Sequence, residues 1–157
     1  MIALRVVNLL IEKSYKISFA ESCTGGLLAS SLIEVPNASR VLDEAYVTYA
    51  IASKEKILNI AHEVFIKHNV VSEEVAYHMA LNVAKIANSE VGVGITGVAG
   101  PTGGTKEIPV GTVCFGYYIL GKVFTEKMVF ENKTRNEVRL EATIHAFQKL
   151  EELLSQK

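Results

Sequence analysis

The residues with the clearest chemical potential lie in the segment ESCTGG, residues 21–26. Ser22 stands where a short β-prone run meets an apolar run of helical character, so its hydroxyl can be exposed at a strand-to-helix turn. Free N–H groups at a helix N-terminus suit an oxyanion or a phosphate, and the two glycines permit close approach of a substrate. The segment predicts a serine nucleophile, with simple capping of the helix by Ser22 or Thr24 as the alternative.

A serine nucleophile needs a general base near pH 7. Lys54 follows a predicted strand and opens a helix, and burial would make its neutral amine available as a base. Tyr49, on the same segment, could relay or orient a proton. A solvated lysine at a helix start is the alternative for Lys54. We expect surface or boundary positions for the four histidines, which all fall on predicted helices: His62, His68, His78 and His145.

A glycine-rich loop follows the apolar run VGVGITG, residues 91–97. It has the composition of a backbone cradle for an anionic group. It matches neither a Walker A motif nor a dinucleotide fingerprint, and a plain flexible connection is the alternative. Arg135 could reach a phosphate from the start of the last helix, or lie on the surface. The predicted substrate-binding residues of this region are Thr96, Gly97, Gly100, Gly103, Gly104, Thr105 and Arg135.

The elements that must position these residues follow from periodicity and turn chemistry. We predict helices over 2–14, from 27 onward, over 53–60 and 63–69, from Ser72 to about Asn88, and after the capping box of Thr134 and Glu137. We predict strands at 16–20, 43–50 and 91–97, followed by a hairpin that turns at Gly121. This order predicts a three-layer α/β/α sandwich with a mixed sheet. Ligands of such sheets collect beyond the strand ends, here at loops 21–26, 48–54 and 97–109.

Composition limits the function classes. The 157 residues predict one domain, 1–157, and 49% hydrophobic against 21% charged residues predicts a packed core. A net charge of −1 without basic blocks does not support nucleic-acid binding. Cys23 and Cys114 form no disulfide or metal-ligand spacing. We find no export signal and no stretch long enough to span a membrane, and therefore expect a cytoplasmic protein.

Four sequence blocks resemble those of one known family. They are AESCTGGLLAS (20–30), VSEEVA (71–76), GITGVAGPTGG (94–104) and PVGTV (109–113). In order and spacing they are similar to the CinA C-terminal-domain family, the nicotinamide-nucleotide amidohydrolases also called PncC. The similarity runs over nearly the whole chain and matches the stand-alone form. The resemblance implies a three-layer α/β/α domain without cofactor or metal.

The resemblance also implies an activity. It is hydrolysis of the carboxamide of nicotinamide mononucleotide, giving nicotinic acid mononucleotide and ammonia in pyridine-nucleotide salvage. By position the family's nucleophile falls on Ser22, its basic lysine on Lys54 and the accompanying tyrosine on Tyr49. An oxyanion site would be formed by the backbone N–H groups of Cys23, Thr24 and Gly25.

Two departures from the family pattern leave alternatives open. Ile51 occupies a position that is usually Asn, and Ile108 one that is usually Lys, both near the predicted pocket. A catalytically inactive nucleotide-binding or regulatory module of the same fold is therefore the alternative, and a purely structural interaction protein fits the glycine clustering poorly. The strand edge left by the final hairpin predicts a homo-oligomer.

Overall fold

The computed structural model describes residues 1–156, which form five strands and six α-helices. The strands are β1 (Ile17–Glu21), β2 (Leu42–Val47), β3 (Val91–Gly97), β4 (Thr112–Ile119) and β5 (Lys122–Val129). The helices are α1 (Ile2–Lys13), α2 (Leu27–Ile33), α3 (Ile51–Leu58), α4 (His62–His68), α5 (Glu73–Ala87) and α6 (Arg135–Ser155). A single 3-10 turn of the described chain, Ala38–Arg40, precedes β2.

The sheet is mixed, with strand order β2-β1-β3-β4-β5. The first three strands in this order run parallel, and β4 and β5 are antiparallel to their neighbours. Because β2, β1 and β3 are parallel, their carboxyl ends lie at one edge of the sheet, where ligands of such sheets bind. The loops that follow these three strands are therefore neighbours.

Helices cover both faces of the sheet. α1, α2 and α6 bury their apolar residues with those of β1, β3 and β4 in the main core, while α5, α3 and α4 pack on the opposite face. Large and small residues alternate along β3, so its two faces differ. Val91, Val93 and Ile95 point into the main core. Gly92 and Gly94 face α5 so closely that an added Cβ would lie 2.5 Å from an atom of that helix.

The structure confirms the predicted α/β fold with its mixed sheet between two helical layers. The predicted caps are also present: Val75 N–H donates to Ser72 Oγ at the start of α5, and Thr134 and Glu137 form a reciprocal box at α6. The strand predicted at 43–50 is too long, because β2 ends at Val47, where its pairing with Glu21 of β1 ends. Residues 48–50 instead form the loop into α3.

The two edges of the sheet are β2 and β5. Five of the eight β5 residues are exposed. The predicted homo-oligomer stays a prediction. Within residues 1–156, the structure contains no helix with the length and apolarity needed to cross a membrane.

Candidate active site

Ser22 is the first residue after β1, at the carboxyl edge of the parallel strands. Its N–H donates to the Ile95 carbonyl of β3 at 3.1 Å, which continues the β1–β3 pairing through the serine itself. The residue is 7% exposed, and its side chain lines a cleft at this edge. The sheet thus fixes the backbone from which the hydroxyl projects.

The buried amine of Lys54 lies beside the Ser22 hydroxyl. Lys54 Nζ is 2.9 Å from Ser22 Oγ, and it donates to the carbonyls of Thr48 at 2.6 Å and Tyr49 at 3.3 Å. A neutral lysine amine has two N–H bonds and one lone pair. With both N–H bonds directed to carbonyls, the lone pair is left for the proton of Ser22, which is the arrangement a general base needs.

The surroundings of Lys54 favour the neutral amine. The side chain is fully buried, and desolvation lowers its pKa from 10.5 to about 8. About 10% of the molecules would then hold a neutral amine at pH 7. The neighbouring thiol of Cys23 is also buried, which raises its pKa to about 12. A thiol with that pKa remains protonated near neutrality, so Cys23 is a weak candidate for the nucleophile.

The N-terminus of α2 differs from the sequence-based expectation. The buried carboxylate of Glu21 accepts hydrogen bonds from the N–H groups of Gly26, Leu28 and Ala29 at 3.0–3.1 Å, and from the Thr24 hydroxyl at 2.7 Å. The positive end of the helix is therefore occupied by the chain's own carboxylate. It is not free to bind an oxyanion or a substrate phosphate, and we correct that expectation.

The turn after Ser22 retains two backbone donors. Gly25 N–H donates to the Ser22 carbonyl at 3.1 Å, so we remove Gly25 from the predicted oxyanion site. Within residues 1–156, the N–H groups of Cys23 and Thr24 donate to no other residue. Cys23 lines the cleft, whereas Thr24 is fully buried and is not part of the lining. Both donors lie next to the Ser22 hydroxyl, so they are the candidates to stabilise a developing negative charge.

The cleft beside Ser22 has a volume of about 210 Å³. The loops after β1, β2 and β3 meet here, together with the segment before α5 and the start of α6. Its floor and walls are Ser22, Cys23, Tyr49, Val70, Val71, Thr96, Gly97, Ala99 and Arg135. The combination of apolar walls with a few convergent polar groups is typical of small-molecule sites.

Tyr49 and Arg135 form one side of the cleft. Arg135 donates from Nη1 to the Gly100 carbonyl at 2.7 Å and from Nη2 to the Tyr49 hydroxyl at 3.1 Å. The Tyr49 phenol is thus paired with Arg135, and the residue contacts Lys54 through its backbone carbonyl. The sequence predicted that this phenol could relay or orient a proton, which stays a prediction; in the structure its hydroxyl accepts from Arg135 at the cleft wall.

The glycine-rich loop contributes only its first residues to the cleft. Gly97 lines it, and Thr96 lines it while donating its hydroxyl to the Val70 carbonyl at 3.0 Å. Gly100 contributes the carbonyl that holds Arg135. The structure does not bring the rest of the predicted phosphate cradle to the cleft, because these residues are exposed and lie outside its lining: Gly103, Gly104 and Thr105.

The two residues that depart from the family pattern also lie outside the lining of the cleft. Ile51 is 41% exposed at the first position of α3. Ile108 packs against the small cluster of Val71, Ala76 and Cys114. Neither isoleucine therefore replaces a group in the lining of the cleft.

Histidine and metal chemistry find little support at this site. The lining of the cleft, as far as residues 1–156 define it, includes no histidine. His145 instead pairs with Glu126 at 2.6 Å, a carboxylate that also accepts from the Tyr117 hydroxyl at 2.9 Å. Over the same described range, no three His, Cys, Asp or Glu side chains come together as a set of metal ligands.

The fold and the cleft define an α/β protein in which a serine hydroxyl and a buried lysine amine meet at the carboxyl edge of three parallel strands. The sequence profile of the CinA C-terminal domain family matches residues 1–154. The chain therefore belongs to the CinA C-terminal domain family, as the resemblance of its sequence blocks predicted.

Known relatives agree with this assignment. A protein from Clostridium beijerinckii, named for competence-damage induction, is 48% identical over 149 residues, which make up 95% of this chain and 36% of that protein. The chain spans about a third of the length of the curated relatives it matches. Solved structures of similar length include a CinA superfamily protein from Klebsiella pneumoniae, with a TM-score of 0.94 at 31% identity, covering 98% of this chain and 96% of that one. The competence/damage inducible protein CihA from Agrobacterium tumefaciens has a TM-score of 0.94 at 33% identity and covers 99% of this chain and 94% of that one.

Proposed function

We propose that this protein is an amidohydrolase that cleaves the carboxamide of nicotinamide mononucleotide by acyl transfer to Ser22. The observation that carries the proposal is the 2.9 Å separation of Ser22 Oγ and Lys54 Nζ, with the amine buried and its pKa lowered to about 8. A weakly nucleophilic hydroxyl beside a partly neutral amine is an activated serine. The resemblance to the nicotinamide-nucleotide amidohydrolases supplies the substrate.

The first half of the reaction forms an acyl-enzyme. Neutral Lys54 takes the proton of Ser22, and the serine oxygen forms a bond to the amide carbon. The electron pair of the carbonyl moves onto its oxygen, which the N–H groups of Cys23 and Thr24 stabilise. As the C–N bond breaks, Lys54 returns the proton to the leaving nitrogen, and ammonia departs. Each oxyanion donor of this kind contributes about 3 to 4 kcal/mol to such reactions.

The second half restores the enzyme. Lys54, neutral again, removes a proton from a water molecule, whose oxygen attacks the ester carbon of the acyl-enzyme. The bond between that carbon and Ser22 Oγ breaks, and the serine oxygen regains its proton from Lys54. The product is the carboxylic acid of nicotinic acid mononucleotide, which loses its proton to the solvent and leaves as the carboxylate. A single base thus serves both halves of the reaction.

The size of the cleft supports a division of the substrate between two regions. A volume of about 210 Å³ lies below the range of about 300 to 1,000 Å³ typical of ligand pockets. We propose that the pyridine ring and its carboxamide occupy the cleft, while the ribose phosphate extends past its mouth. Arg135 uses two of its donors on Gly100 and Tyr49 and is exposed, so the others are available for the phosphate.

The rival function is a nucleotide-binding or regulatory module that has lost catalysis. Its motivation was the pair Ile51 and Ile108, and neither residue lines the cleft. The buried Lys54 is a further argument against it, because an unused buried amine would destabilise the fold without benefit. No observation at the site favours the rival.

Ammonia release from nicotinamide mononucleotide tests the proposal, with Ser22→Ala as the variant. We expect the substitution to lower turnover by about three orders of magnitude or more. It should leave the folded state intact, because alanine fits the space of the serine. Thermal unfolding of both proteins is the control. Equal ammonia release by the two proteins would rule out Ser22 as the nucleophile, and nucleotide binding without any release would favour the regulatory module.

A further inference from the structure

Arg139 of α6 contacts the turn that carries Ser22, from a position 115 residues further along the chain than Thr24. Its Nε donates to the Cys23 carbonyl at 3.0 Å, and its Nη2 donates to the Thr24 carbonyl at 3.2 Å. Its Nη1 donates to Asn136 Oδ1 at 3.0 Å. Two adjacent carbonyls of the turn are thus held by one planar, half-buried guanidinium.

The contact with the Cys23 carbonyl has a consequence for the Thr24 N–H, because both belong to the same peptide group. In a planar trans peptide, the C=O and N–H bonds point in opposite directions. Holding the oxygen toward Arg139 therefore directs the Thr24 N–H away from α6. A hydrogen bond from a charged donor also polarises the peptide and strengthens its N–H as a donor.

Each of the three carbonyls of the turn accepts a hydrogen bond. The Ser22 carbonyl accepts from Gly25 N–H, and the Thr24 carbonyl accepts from both Leu27 N–H and Arg139. The Cys23 carbonyl differs from the other two, because within residues 1–156 no backbone N–H donates to it and its partner is Arg139. The orientation of the Cys23–Thr24 peptide therefore depends on this one side chain.

We propose that Arg139 is a positioning residue for the oxyanion site: it holds the Cys23–Thr24 peptide so that the Thr24 N–H meets the substrate oxygen as this becomes negatively charged. The inference rests on the proposed amidohydrolase function and adds a residue to it. Lysine would not replace Arg139, because it has no planar fork that reaches two carbonyls.

Steady-state kinetics of Arg139→Met with nicotinamide mononucleotide provide the first test. Because the interaction strengthens as charge develops, we expect kcat to fall about 10- to 100-fold while KM changes less than about threefold. Arg139→Lys keeps the charge but lacks the planar fork, so its kcat should lie between those of the wild type and Arg139→Met. The matched control is Arg5→Met, which removes an arginine bound to Glu151 of the same helix, about 18 Å further along it. This control should retain wild-type kinetics.

Binding of an aldehyde analogue separates positioning from general structural support. In nicotinaldehyde mononucleotide, the Ser22 oxygen bonds to the aldehyde carbon, the carbonyl electron pair becomes an oxyanion, and the serine proton moves to Lys54. We expect Arg139→Met to weaken this adduct by the same factor as kcat. When Arg139→Met is added to a Ser22→Ala background, the affinity for nicotinamide mononucleotide should stay within about threefold of that of Ser22→Ala alone.

The outcomes distinguish this inference from the proposed function. A wild-type protein that neither releases ammonia nor binds the aldehyde more tightly than the amide overturns both. An active wild type with an equally active Arg139→Met overturns the positioning role alone. So does an Arg139→Met variant that loses substrate affinity as much as it loses kcat/KM, since that result indicates structural support. If Arg139→Met does not fold, the same comparison is made with Arg139→Lys.

Discussion

The pH dependence of kcat/KM tests the role of Lys54 directly. Burial lowers the pKa of this amine to about 8, and only the neutral form can accept the proton of Ser22. The neutral fraction is about 10% at pH 7, about 50% at pH 8 and about 90% at pH 9. We therefore expect kcat/KM to rise about tenfold between pH 7 and pH 9 and then level off.

The assay is discontinuous measurement of ammonia from nicotinamide mononucleotide at subsaturating substrate. The range starts at pH 7 because the substrate phosphate titrates near pH 6. Lys54→Met is the control, and its residual activity should show no transition near pH 8. A flat wild-type profile, a midpoint below about pH 7, or the same transition in Lys54→Met would refute the assignment of Lys54 as the base.

The same pKa shift predicts the pH dependence of stability. Because Lys54 has a lower pKa folded (about 8) than unfolded (10.5), the folded state binds fewer protons between these values. Burying the charged amine therefore costs about 3 kcal/mol below pH 8, and the cost disappears as the pH rises toward 10.5. Urea unfolding should show wild-type stability increasing relative to Lys54→Met over this interval. A constant difference would contradict the shift.

Two further substitutions test the frame around the site. Four donors now bind the Glu21 carboxylate, and Glu21→Gln leaves only one oxygen to accept from them. The new amide N–H also faces the Ala29 N–H. We therefore expect the free energy of unfolding, measured in urea, to fall by about 2 to 3 kcal/mol. The control is Glu34→Gln, an exposed residue that caps the opposite, C-terminal end of the same helix; equal effects would contradict the structural role of Glu21. Gly116→Ala would place a Cβ 2.2 Å from the Ala76 carbonyl oxygen of α5 and should cost about 3 kcal/mol. Gly121→Ala meets no atom within 4 Å and should cost only about 1 kcal/mol for its positive φ of 92°. Similar losses for the two glycines would show that the approach of α5 is not close.

The fold was predictable because its signals are local. The Ser72 cap and the Thr134–Glu137 box start α5 and α6 as expected, and the apolar run 91–97 is a buried strand. The end of β2 was not predictable, since YVTYA (46–50) continues the β-prone pattern as far as Ala50. The strand ends at Val47 because its pairing with β1 ends there, and the next two carbonyls accept from Lys54 instead.

Two residues that shape the site were missed. Glu21 had a signal, since a carboxylate inside a buried β-prone run needs partners, and an adjacent helix N-terminus supplies them. Arg139 had a weaker one: it lies four residues after Arg135, and residues with that spacing share a helix face. Nothing in the spacing showed that this face meets the Ser22 turn, because the contact joins parts of the chain more than 110 residues apart.

The sequence by itself determined most of the secondary structure, the class of fold, the family and the identity of a serine and a lysine with suitable chemistry. These depend on residue type, periodicity and short motifs, which local sequence contains. Only the tertiary structure decided that the two side chains meet at 2.9 Å, that Glu21 occupies the helix N-terminus, and that Gly103, Gly104 and Thr105 lie away from the cleft. Distances, burial and the pKa of Lys54 arise from contacts between distant segments, and packing the sheet between its helices is what creates those contacts.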